Sequence, residues 1–225
     1  MFNRIKKAFQ REPRVSESSL SHQAPERVSE WAATRGMTFS SGLGNTLSMA
    51  GKVGGRSWRM ELGKPSRDYI VGEELRARAE LGVLDDVGAL IISRPLKDAL
   101  ERRAYSMITD TLETTAEARL PEEMRWLAMY DEVSWEGPPQ AFFAHYAVHA
   151  GKREHALAWV DDYLVEQLMA RLEPAPLPAV PFMIVLLRGK CYLRMQYLPA
   201  ETSTLDHATD LFVGACESAL EAFRK

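Results

Sequence analysis

Cysteine is scarce, with only two in 225 residues. Cys191 and Cys216 lack the close spacing of a zinc or redox motif and read as reduced residues of the core. No apolar run reaches the roughly 18 residues that a bilayer-spanning helix needs. The basic N-terminus is followed by neither a continuous apolar stretch nor a small-residue cleavage site, which argues against a secretory signal and makes the cytoplasm the expected compartment. An excess of positive charge is also missing. The net charge of −3 and pI near 6.0 leave no whole-chain attraction for phosphates, so nucleic acid is the least expected partner.

Catalytic signatures are equally sparse. Six residues separate Gly44 from Gly51-Lys52, and Val53 stands where a hydroxyl is needed, so the glycine-rich stretch 40–55 is not a phosphate loop. Gly42-Leu43-Gly44 lacks the third glycine of a dinucleotide fingerprint. There is no Gly-x-Ser-x-Gly elbow, and neither cysteine has the context of a nucleophile. No cofactor is expected.

What the chain does have is ordinary globular composition, 46% hydrophobic and 26% charged, enough apolar material for one large core or two small ones. The charge is unevenly placed. Residues 1–14 carry +4 and leave −7 for the remainder. In that tip Phe2, Ile5 and Phe9 fall at helical spacing among Arg4, Lys6 and Lys7, a basic amphipathic pattern suited to weak contact with an anionic membrane surface or a partner's groove. Residues 11–25 are polar and serine-rich, bounded by Pro13 and Pro25, and read as a disordered tether.

Beyond the tether the pattern is mixed. A short helix is expected from Glu26 to Gly36, then a hairpin through Gly54-Gly55 with Trp58, Met60 and Leu62 on one side. From Tyr69 to Leu81 helix-forming residues obey a period of two: Leu75, Ala77 and Ala79 share one parity, Glu74, Arg76, Arg78 and Glu80 the other. Period outranks propensity, which predicts a strand. A turn at Asp85-Asp86, a strand over 89–92, a helix opened by Pro95, a second helix from Pro121 and a loop over 135–139 follow. The last third predicts a strand over 142–148, a helix burying Leu157, Val160, Leu164, Leu168 and Leu172, strands 182–187 and 191–197, and a final helix whose Ser203 and Asp206 suggest a capping box variant. Tight turns between strands imply antiparallel pairing, so the expected class is α+β, mainly antiparallel sheet covered by amphipathic helices. The segments 26–115 and 116–225 are candidate subdomains, divided near 110–120, or parts of one core.

Two constellations invite chemistry. His145, His149 and His155, with Asp161 and Asp162 beyond them, are the sharpest case for a metal-dependent hydrolase. On a strand, however, His145 and His149 stand roughly 13 Å apart and cannot share one ion. Of the acidic pairs at Asp85-Asp86, Glu122-Glu123, Asp131-Glu132 and Asp161-Asp162, position explains most: Asp85-Asp86 fall in a turn and Glu122-Glu123 in a helix's first turn. Arg94, Lys97, Arg102 and Arg103 cluster on one helix, but Asp98 and Glu101 interleave them, as on a salt-bridged surface. The reading is a cytoplasmic, adaptor-like interaction or ligand-binding protein without catalysis, with a protein partner, room for self-association, and the metal hydrolase as the alternative.

Overall fold

A computed structural model describes residues 17–111, 121–170, 180–197 and 202–224. The basic tip, residues 1–10, lies outside them, as does most of the stretch expected to divide two subdomains. The described elements are α1 (Glu17–Thr34), β1 (Thr38–Ser41), β2 (Leu47–Val53), β3 (Arg56–Gly63), β4 (Glu73–Glu80), β5 (Gly88–Ser93), α2 (Arg94–Thr111) and α3 (Glu122–Met129). They continue with β6 (Asp131–Glu132), α4 (Gln140–His145), β7 (Tyr146–Ala150), α5 (Arg153–Trp159), α6 (Asp162–Ala170), β8 (Phe182–Leu187), β9 (Lys190–Tyr197) and α7 (Thr202–Ala222).

The strands form one nine-stranded sheet in the order β1-β2-β3-β4-β9-β8-β5-β7-β6, antiparallel at every pairing. The α+β class and antiparallel pairing are therefore as the sequence indicates. Two tight hairpins set the register. Gly54 and Gly55 join β2 to β3 with φ of 53° and 77°, and Arg188-Gly189 joins β8 to β9 with φ of 51° and 70°. Both are two-residue turns with positive φ throughout, the geometry that matches strand twist. Strand β4 keeps the two-residue period. Leu75, Ala77 and Ala79 are buried on one face, while Arg76 and Arg78 rise from the other.

The buried face packs against α7. Phe212 meets Trp58 edge-on at 6.2 Å between ring centroids, and Leu205, Ala208, Leu211 and Ala215 complete the stripe with no more than 1% exposure. The stripe repeats at three and four residues, the spacing that gives a helix one apolar face. Trp159 of α5 is fully buried, and its indole donates to the Ala215 carbonyl at 2.9 Å. Helix α1 closes the same layer: the Trp31 indole donates to Asp206 at 2.8 Å, and Arg35 bridges Asp206 and Asp210. Asp206, expected in a capping box, thus ties α7 to α1.

Helices α2 and α3 cover part of the opposite face. Leu96, Leu100 and Met124 pack on Leu90, Ile92, Ala147, Met183 and Val185 in a second, smaller cluster.

Three local expectations are corrected. The polar stretch expected as a tether continues as helix from Glu17, with Pro25 inside α1. Proline removes one intrahelical bond, yet the half anchored by Val28, Trp31 and Ala32 propagates through it. Residues 142–145 are the end of helix α4, and the strand starts only at Tyr146. Pro139 precedes a single turn there, with Phe142 N–H donating to the Pro139 carbonyl at 2.8 Å. The helix expected across 157–172 is broken at Val160, whose ψ of 78° is not helical. Asp161 then starts α6 by accepting the Leu164 N–H at 2.7 Å, the bond an N-cap makes.

Candidate functional site

The face opposite α7 changes character across the sheet. Outward residues of β5, β7 and β8, His149 excepted, are apolar and lie under α2 and α3. Outward residues of β3, β4 and β9 are mostly charged: Arg59 and Glu61, Arg76 and Arg78, Lys190 and Arg194, with Tyr192 across from Arg78. The register places Arg59 directly across from Arg78 and Arg76 directly across from Arg194. Like charges opposite one another destabilise a sheet, so two such pairs side by side ask for compensation.

Carboxylates supply it. Glu61 bridges Arg59 at 2.7 Å and Arg76 at 3.0 Å. Glu80 pairs with Arg78 and with Lys190. Glu74 is 1% exposed. It takes Arg194 at 2.9 Å and the backbone N–H of Ser66 at 2.5 Å. Glu123, in the first turn of α3, is 2% exposed. Its Oε1 accepts Arg67 at 2.5 Å and the Tyr69 hydroxyl at 3.2 Å, while Oε2 is buried without a hydrogen-bond partner. Burial and then the neighbouring Glu123 charge push the Tyr69 phenol well up, so it stays a donor.

Along the seam between α3 and this charged half runs a groove of about 530 Å³. One wall is apolar, built from Trp126, Val185 and Leu187, and the other is the arginine block. Seven arginine and lysine side chains line it against three glutamates, so the groove is cationic in a chain that is acidic overall. Arg188, at the β8–β9 turn, is exposed and makes no ion pair among the described residues, although it occupies a left-handed conformation that arginine rarely takes.

The histidine cluster does not assemble. His145 is exposed at the end of α4. His149 stands opposite Leu90, on the face covered by α2 and α3, and its Nδ1 donates to the Tyr130 carbonyl at 2.9 Å. His155 stacks edge-on against Phe223 at 5.8 Å, in the layer on the other face. The sheet therefore separates two of the three. Among the described residues no group of three His, Cys, Asp or Glu side chains is placed to hold a metal ion.

The acidic pairs lie in a turn or at helix starts, except Asp131-Glu132, which forms the short strand β6. Asp86 pairs with Lys152 at 3.0 Å, Glu132 with Arg94 and Lys97, and Asp161 caps α6. Glu123 stands in the first turn of α3 as the sequence indicates, and it is also buried between Arg67 and Arg194. On α2, Arg94 and Lys97 pair with Glu132, Lys97 also with Glu101, and Arg103 with Asp68, a salt-bridged surface as expected. Cys191 and Cys216 are buried and free, and their mutual hydrogen bond together with burial raises the Cys216 thiol far above its ordinary value.

Fold and site together define an α+β protein whose single antiparallel sheet is closed on one face and carries a cationic groove on the other. No protein-family model and no curated protein matches the chain. Its fold is similar to the crystal structure of the mycobacterial trehalose monomycolate transport factor A, TtfA, with a TM-score of 0.50, 11% identity, and coverage of 89% of this chain and 96% of that one. Among the described residues no helix is long and apolar enough to cross a membrane.

Proposed function

We propose that this protein is a non-catalytic, adaptor-like binding protein that holds an anionic ligand or partner in the groove between α3 and the arginine-bearing strands. The observation that carries this reading is the pair of like-charge juxtapositions, Arg59 with Arg78 and Arg76 with Arg194. A fold under no demand at this face gains by separating such charges, whereas a binding site for anions gains by gathering them. The fold neighbour is a transport factor, which agrees with binding. The metal-hydrolase alternative loses its support with His149 and His155 on opposite faces of the sheet. Action in the cytoplasm and membrane contact through residues 1–10 belong to the same proposal, and co-sedimentation of the full chain and of one beginning at Glu17 with anionic liposomes tests the tail.

The groove itself is tested through Trp126, which lines it. Titration with polyglutamate is expected to change the tryptophan emission saturably, with the response fading as salt rises and disappearing in Trp126→Phe. An equal response to polylysine, or none to either polymer, would count against the reading.

A further inference from the structure

We propose that the groove recognises an extended acidic peptide segment of a partner protein, one whose carboxylates recur at every second residue. This rests on the binding function argued above and narrows its ligand. Arg76 and Arg78 are successive outward residues of β4, so their Cα atoms are roughly 7 Å apart along the strand. A peptide in extended conformation repeats its side chains on one face at that same distance. Carboxylates at alternate positions therefore meet successive arginines without adjustment of either backbone, and Arg59 and Arg194 flank the row from the neighbouring strands.

Within the row Arg76 is 32% exposed and pairs with Glu61 at 3.0 Å, and the more open members are Arg78 and its neighbour Arg59. The side chains of Arg59 and Arg78 are 62% and 53% exposed, and their intramolecular pairs with Glu61 and Glu80 are surface contacts of the kind that contribute under about 1 kcal/mol. An incoming carboxylate exchanges with them at little cost. Arg188 stands at the groove's mouth with its charge uncompensated, placed to draw an acidic chain in.

A second observation distinguishes a peptide from a simple anion. Glu123 lines the groove, and its Oε2 lies buried behind the groove wall without a donor. A phosphate or an isolated carboxylate would be repelled there. A peptide supplies backbone N–H groups beside its acidic side chains, neutral donors that the orphan oxygen takes once the Glu123 side chain turns toward the groove. Trp126 and Leu187 give its intervening apolar side chains a wall to rest on.

The test uses the full chain and fluorescence anisotropy of two labelled peptides of equal composition, one with aspartate alternating with valine and one with the aspartates in a block. The alternating peptide is expected to bind saturably and about tenfold more tightly, and Arg78→Glu is expected to weaken it by about tenfold or more with no change in melting temperature. Arg188→Glu is expected to slow association with a smaller loss of affinity. Equal affinities for the two peptides, or indifference to Arg78→Glu, overturn the proposal. Binding of inorganic phosphate or phosphatidylglycerol vesicles that depends on Arg78, with no preference between peptides, overturns it while leaving the anion-binding function standing. Absence of binding to every anion removes both.

Discussion

The two faces of the sheet are built on opposite terms. Beneath α7 and α5, Leu75, Ala77 and Ala79 of β4 are nearly sealed from water, and Trp159 finds a specific partner in the Ala215 carbonyl, while Trp58 Nε1 and His155 Nδ1 are buried without one. On the other face the same strand offers Arg76 and Arg78, and the carboxylates removed from water among the described residues, Glu74 and Glu123, are placed among arginines. One face spends its side chains on burial and the other keeps charge available. A strand with period two serves both because alternate side chains never compete for the same side.

Breaking the closed face has the largest expected effect. Phe212→Ala removes a fully buried ring from contact with Trp58 and leaves a cavity that the surrounding sheet cannot fill, so a loss of about 3–5 kcal/mol is expected. Denaturant unfolding checks it: the midpoint falls while the slope holds. Met124→Ala strikes the smaller cluster under α2 and α3, where fewer side chains surround the cavity, and is expected to cost about 2 kcal/mol. It also loosens the helix that carries Glu123 and Trp126, so the Trp126 response to polyglutamate should weaken with it. A Met124→Ala loss as large as that of Phe212→Ala would mean that the two faces are equally committed to stability.

The closed face was largely legible in the sequence. Leu75, Ala77 and Ala79 announce their parity, and the 205–219 stripe of α7 announces its face, because burial repeats along the chain with a fixed period. The groove was not. Arg76 and Arg78 read as one strand's solvent side, and nothing local reveals that β9 inserts beside β4 to bring Arg194 across from Arg76. Glu123 looked like an ordinary first-turn acid for the same reason: its partners, Arg67 and Arg194, come from distant segments. The histidines misled in the opposite sense. Nearness along the chain suggested a cluster, but a helix-to-strand junction and then the sheet itself lie between His145, His149 and His155. Aromatic content at 142–145 favoured a strand, and the Pro138-Pro139 step turned it into a helical turn instead.

A smaller effect tests how firmly the partial cover is tied down. Glu132 is held below its ordinary value of 4.5: burial pushes it up, but the hydrogen bond from Arg94 and the charges of Arg94 and Lys97 outweigh that. A carboxylate whose folded value is depressed contributes stability above its unfolded value, and the contribution is lost as pH falls through the lower, folded one. The window is therefore acidic, below about 4.5. Glu132→Gln should cost under about 1 kcal/mol at neutral pH, since the pair is partly exposed, and should flatten the acid limb of a stability-against-pH curve. An unchanged limb would show that α2 is held by its apolar contacts alone.

The smallest expected stability effect is at the centre of the open face. Arg78→Thr removes a half-exposed cation, loses its contacts with Glu80, and relieves its opposition to Arg59, so the terms offset and the change should stay within about 0.5 kcal/mol. Threonine suits a strand, which keeps the backbone as it is. The same substitution in the closed face's parity, Ala77→Thr, has no such freedom, because a hydroxyl beneath α7 is buried without a planned partner and should cost about 1–3 kcal/mol. Melting curves of the two variants, one residue apart in strand and on opposite faces, measure the asymmetry directly. If Arg78→Thr proves as costly as Ala77→Thr, the arginine block is holding the sheet together, and its gathering of charge needs no ligand to explain it.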